Sequence, residues 1–251
     1  MFATSVQSSN LKQRLKSLVL PIFIETLLVM MLGAMDTLML SRYSDNSVAA
    51  VGMANQLINL AFLVFQVIGL GTSVLCSQYL GAKEDKKVVQ VVGISLVLNT
   101  IIGIIVSLIL FFFSKDILIL MGLRANLLPD GVGYMKIVGA FAFFQAISMT
   151  LSAALRSANK AYYPMLVTLA VNVVNFIGNY ALIFGKFGMP VMGAEGAAIA
   201  TSVSRGIAVI LLFYFLFKKH IPKFPLAWFT PFPIQKTYQN WNSICRRTNF
   251  I

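Results

Sequence analysis

The chain has 251 residues, of which 58% are apolar and only 11% charged. A soluble domain carries about 25% charged residues, so this composition does not describe one. The net charge of +12 would suit nucleic acid, but the basic residues form no continuous face and accompany no recognition motif, so nucleic acid is set aside as a partner.

Residues 1–16 are polar and carry Lys12, Arg14 and Lys16, which reads as a cytoplasmic amino-terminal segment. The apolar run that follows is too long for a cleavable signal core. Six membrane spans are predicted, at about 17–40, 51–80, 88–113, 131–156, 162–184 and 194–217. Each meets the roughly 20 residues that cross a hydrocarbon core, and none shows the strict alternation of a membrane strand. The predicted fold is therefore an all-α membrane protein, a lobe of six transmembrane helices over 17–219, with membrane lipid as its surroundings. The over-long second run is expected to tilt or project. Between spans three and four, the apolar patch 117–121 is too short to cross and predicts an interfacial helix. From about Pro222 the chain turns Pro- and aromatic-rich, then polar, so 220–251 reads as a disordered cytoplasmic tail.

Loop charges orient the bundle. Lys12, Arg14, Lys16, Lys83, Lys86, Lys87, Arg156, Lys160, Lys218, Lys219 and Lys223 fall on one side, against Arg42, Lys115, Arg124 and Lys186 on the other. The excess marks the cytoplasmic side, which holds the amino terminus and the end of span six.

Of eight acidic residues, Glu25 and Asp36 lie well inside a span. A carboxylate there is costly unless it faces a wet cavity or a partner, which makes it a functional candidate. They are eleven residues apart, so they share one helix face about 16 Å apart, and Pro21 can bend the same helix. In span five, Asn172, Asn175 and Asn179 form one polar stripe. Asn175 and Asn179 read as a lining that offers amide oxygens to a cation or water near Asp36. Asn172 reads as an interhelical hydrogen bond. Gln56, near the Asp36 end of span two, is weighted above Gln66, Asn99 and Gln145, which read as helix-packing contacts.

Arg205, in the middle of span six, needs a partner because it stays protonated. The plain expectation is a buried pair with Glu25; the sharper one is a coupling group that trades partners. Lys136 can snorkel. Gly69, Gly71, Gly193 and Gly196 predict close helix crossings. Cys76 reads as a small packing residue, and Cys76 with Cys245 gives no metal spacing. His220 sits in a basic juxtamembrane cluster, and no nucleophile–base pair is visible. The chain is read as not an enzyme, without cofactor or tightly bound metal.

Several motifs in order resemble the amino-terminal half of the multidrug and toxic compound extrusion (MATE) family. They are Pro21 with Met35-Asp36-Thr37, Gly71-Thr72-Ser73 through Ser77-Gln78-Tyr79-Leu80-Gly81-Ala82, Leu155-Arg156-Ser157, Asn175 with Asn179, Gly185-Lys186-Phe187-Gly188, and Gly196-Ala197-Ala198-Ile199-Ala200-Thr201. The resemblance runs from about Leu20 to Lys219. It implies a lobe that pairs with a second six-helix lobe, and antiport of small amphipathic, often cationic drugs against sodium ions or protons in a bacterial plasma membrane. It makes Asp36 the ion or proton carboxylate, where sodium would bind transiently, with Asn175, Asn179 and Thr201 as partners. Glu25, Gln56, Asn172 and Arg205 are accessory polar groups. The lower half of the Asn175 and Asn179 pair is an acid in some relatives, and its absence here weakens the transfer of their proton-only mechanism.

Spans seven to twelve of the family have no counterpart here, so a homodimer or separate second lobe is expected to complete the cleft. The tail suggests a cause. Read one nucleotide later, suitable codons for 236–251 give KLIKIGIPSAGEQIS, which resembles the start of the family's seventh helix, and a frameshift is the expected origin. Two other readings compete. One is a truncated, non-transporting remnant. The other is a lipid-linked saccharide flippase of the same superfamily, which would need a cavity rich in Arg and Lys beyond Arg205 and Lys136.

Overall fold

The computed structural model describes residues 2–219, with side chains from 18 to 217; the tail expectation and the frameshift reading lie outside them. Among the described residues all regular structure is α-helix, with no strand. The helices are α1 (Phe2–Ser41), α2 (Asp45–Gly81), α3 (Asp85–Phe112), α4 (Ser114–Leu120), α5 (Leu128–Ala140), α6 (Ala142–Ser157), α7 (Tyr162–Ile183) and α8 (Gly193–Lys219). Five are long and apolar enough to cross a membrane, and six are counted if the bent pair α5–α6 is one span. The lipid-soluble character of the sequence appears as outward-facing Leu20, Phe23, Met30, Leu63, Val67 and Ile105. With hydrocarbon as solvent, such residues need no burial, and the helices satisfy their own backbone.

The fourth span departs from expectation. It is not one straight helix over 131–156 but two, bent by 47° at Phe141. No proline causes this. The Phe143 amide, freed by the break, donates to Ser107 Oγ of α3 at 3.1 Å. A side chain that takes over a backbone hydrogen bond is a recognised cause of a kink. The short patch before it does form a helix, α4, which turns Leu118 inward and leaves Leu120 outside.

Four helices, α2, α4, α6 and α7, end in the same way. Lys83, Gly122, Asn159 and Gly185 have positive φ. The next residue's amide reaches back to Tyr79, Leu118, Leu155 and Ala181 respectively, at 2.9–3.1 Å. These are Schellman terminations, which satisfy the last helix carbonyls and fix the direction of the following chain. At the other end of a helix, Ser44 caps α2, its hydroxyl accepting from the Ser47 amide. Ser47 in turn donates to the Asp130 carboxylate at the start of α5.

α1 lies against α7, α7 against α8, and α8 against α5; α2 rests on α3 and α6. One close crossing is between α7 and α8. A Cβ at Gly196 would stand 2.7 Å from the Leu182 carbonyl oxygen, so only glycine fits there. The expected crossing at Gly71 is not made, since it faces open space.

Among the described residues three apolar clusters fill the bundle, a small one around Cys76, Val88 and Val92 and two larger ones. One joins Leu40, Ala54, Ile58, Met135, Val138, Ile183 and Ala198. The other joins Leu96, Leu151, Leu155, Val167, Val171, Ala208 and Leu212. Along α7, Asn175 and Asn179 fall between Val171 and Ile183. Along α8, Thr201 and Arg205 fall between Ala198 and Ala208. A polar seam therefore separates the two larger cores.

Candidate functional site

Asn175 and Asn179 are one turn apart on α7 and almost wholly buried. Asn179 Nδ2 donates to Asn175 Oδ1 at 2.9 Å and to Asp36 Oδ1 across the α1–α7 contact. Asn175 Nδ2 donates to Thr201 Oγ1 of α8 at 3.2 Å. The chain Asp36–Asn179–Asn175–Thr201 thus joins three helices through side chains alone. Such networks hold their members in register because each unpaired polar group in a dry interior costs free energy.

One acceptor in the network is left over. Asn179 Oδ1 is buried and takes no hydrogen bond from the described residues. With the Asp36 carboxylate beside it, the site offers a charged oxygen and a spare amide oxygen, a donor set suited to a hard monovalent cation or to a proton with water. It does not suit a transition metal: among the described residues no three His, Cys, Asp or Glu side chains converge.

Arg205 does not pair with Glu25, contrary to the sequence expectation. Its guanidinium lies over the Phe62 ring, 4.9 Å from the centroid, and its Nη1 is buried without an acceptor. It lies one turn along α8 from Thr201, within coulombic range of Asp36 and of the buried Tyr134. Glu25 pairs instead with Arg156 at the end of α6, whose Nη1 donates to both carboxylate oxygens at 3.0 and 3.1 Å. The expectation failed because Arg156 falls in the last turn of its span, where it counted as a loop charge. The bend at Phe141 sets the path of α6, and it is invisible in a hydropathy pattern.

Asn172 donates to the Leu28 carbonyl of α1 at 2.7 Å, a helix–helix tie outside the network. Gln56 is exposed on α2 and stands apart from the network. Its neighbour Asn55 faces inward and accepts from the Tyr134 hydroxyl at 3.0 Å. Sequence reasoning missed Asn55 and Tyr134, which adjoin the Arg205–Asp36 region. Only Asn55's place within a span signalled them. Asn99 is fully buried and ties α3 to α2 and α6, donating to the Ala146 carbonyl and Thr150 Oγ1. Lys136 is exposed on α5.

Comparison with known proteins gives the family. The MatE family model matches residues 21–181. The chain is 43% identical over 203 residues to the uncharacterized transporter YisQ of Bacillus subtilis, which covers 81% of the chain and 45% of that protein. It is 32% identical over 210 residues to the probable multidrug resistance protein NorM of Thermotoga maritima, covering 84% of the chain and 45% of that protein. A MOP superfamily transporter from Pyrococcus furiosus superposes with a TM-score of 0.80 at 22% identity, over 88% of this chain and 48% of the other. The chain spans about half the length of the curated relatives it matches. The six-span helical lobe, its motifs and these matches together place the chain in the MATE family of membrane transporters.

Proposed function

We propose that the chain is the amino-terminal lobe of a secondary active antiporter. It exports small amphipathic or cationic compounds across a bacterial plasma membrane in exchange for sodium ions or protons, with its amino terminus in the cytoplasm. The observation that carries this reading is the bond from Asn179 to Asp36, a carboxylate inside a membrane span whose hydrogen-bonding partner is neutral. A carboxylate held by an amide keeps a charge available for a travelling cation; one locked to a fixed cation does not.

In the proposed cycle, Asp36 takes a sodium ion or proton, and the Asn179–Asn175–Thr201 row rearranges around it. Binding to one conformer more tightly than the other shifts the balance between two openings of the cleft. Arg205 is the internal counter-charge. It rests on Phe62 while Asp36 is engaged and moves toward the carboxylate when the cation leaves. A second lobe, from another chain or a second copy, supplies the facing wall of the cleft.

The test is dye or drug accumulation in cells expressing this chain, the Asp36→Asn variant, or neither. Lower accumulation with the chain alone supports autonomous exchange. Equal accumulation in all three rejects it and leaves the non-transporting remnant.

A further inference from the structure

We propose that the groove between α1 and α7 binds an anionic glycerophospholipid of the surrounding bilayer, its phosphate held between Arg42 and Lys186 and an acyl chain lying along Met35, Leu38, Phe176 and Tyr180. The site is separate from the Asp36 network and independent of the transport reading.

The groove has a volume of about 640 Å³ and is lined by Met35, Leu38, Met39, Arg42, Phe176, Tyr180, Phe184 and Lys186. That volume lies in the range of ligand pockets, roughly 300–1,000 Å³. Its chemistry is divided by depth. The lower wall is thioether, aliphatic and aromatic; the two cations stand at the loop end. None of the lining residues is acidic. Arg42 and Lys186 are exposed, and neither joins a salt bridge among the described residues. From Met35 to Arg42 the helix rises about 10 Å, enough to lay the upper part of an acyl chain beneath its headgroup.

Cations at helix C-termini are favoured by the helix dipole in any setting. Two features make this pair a site. The first is fixed geometry. Lys186 follows Gly185 in the Schellman turn of α7, its amide bonded to the Ala181 carbonyl at 3.0 Å. Arg42 sits in the short α1–α2 turn, whose Tyr43 ring presses against Gly193 so closely that a Cβ there would overlap it. The Arg42 turn is thus braced on the start of α8 and the Lys186 backbone on the end of α7. The second is the apolar wall immediately below them, with Tyr180 in ring contact with Phe184 and Phe187. Basic residues above an aromatic band are how membrane proteins meet anionic headgroups.

The test uses the purified full chain in mild detergent and reads lipid retention by native mass spectrometry. Phosphatidylglycerol is compared with phosphatidylcholine of the same acyl chains, and inorganic phosphate is added as a competitor. The expected result is a preference for phosphatidylglycerol of roughly ten- to thirtyfold, the factor that two interfacial cations supply. The preference should survive Lys83→Gln with Lys86→Gln, which removes two exposed cations elsewhere. It should fall at least about threefold in Arg42→Gln and in Lys186→Gln singly, and vanish in the double variant. The single substitutions touch exposed side chains, so the outcome does not hang on the double variant folding. Equal retention of both lipids, or a preference unchanged by the single variants, would overturn the proposal. So would displacement of the lipid by inorganic phosphate, since a free anion cannot replace the acyl contacts.

Discussion

Glu25 and Asp36 lie on one face of one helix, yet their charges are handled differently. Glu25 meets a guanidinium that donates twice to its carboxylate, while Asp36 meets an amide and has Arg205 near but turned onto Phe62. The first arrangement ties the end of α6 to α1 through side chains. The second leaves the negative charge only partly answered. The difference teaches that two carboxylates in one membrane span can be met differently, one by a fixed cation that ties two helices and the other by a neutral amide that leaves its charge only partly answered, according to the nearest donor and not to depth.

The sharpest way to break this comparison is to neutralise each acid in turn. Asp36→Asn is expected to bring exchange down to the level of empty cells without lowering thermal stability, because it removes a desolvated charge and keeps an amide-bonding side chain. Dye flux and a melting curve on the same preparation check both halves. If exchange is unaffected, the distinction between the two acids fails.

Next in size is Arg156→Ala. Stranding a buried partner costs about 3–5 kcal/mol. Arg156 keeps a third of its side chain exposed, so the expected loss is about 2 kcal/mol, read from unfolding in detergent. Changing Glu25→Gln together with Arg156→Met should recover most of that loss, since the stranded charge is gone. A double variant as unstable as the single one would show that the loss comes from the Arg156 stem's own packing and not from the stranded charge of Glu25.

Asn179→Ala removes the donor to both Asp36 and Asn175, and should cost about 1–3 kcal/mol and also abolish exchange. Asn172→Ala lies on the same stripe but loses a single interhelical bond, worth about 0.6 kcal/mol, with exchange intact. Gln56→Ala, on an exposed face, should stay within about 0.5 kcal/mol of the parent in the same unfolding assay.

Much of this was legible in the sequence. Hydropathy gave the spans because lipid tolerates no exposed backbone, so a run of about 20 apolar residues has one fate. Helical spacing placed Asn175 and Asn179 on one face, and the cost of an intramembrane charge singled out Asp36. What stayed hidden was everything set by the relative rotation and path of the helices. The bend at Phe141 depends on a hydroxyl from α3, far away in sequence. Which arginine reaches Glu25 follows from that path. That Asn55 rather than Gln56 faces inward depends on a rotation of about 100° per residue, which apolar neighbours on every side of a membrane helix cannot report.

The sequence alone thus determined that the chain crosses the membrane, which acid is exceptional and which amides can line one face, because these are properties of a single helix and its solvent. The tertiary structure alone decided that Arg156 answers Glu25, that Arg205 lies on Phe62 within coulombic range of Asp36, and that Arg42 and Lys186 crown one groove. Each is a meeting of side chains from different helices, and such a meeting is fixed by where the helices bend and how closely they pack, not by any local pattern.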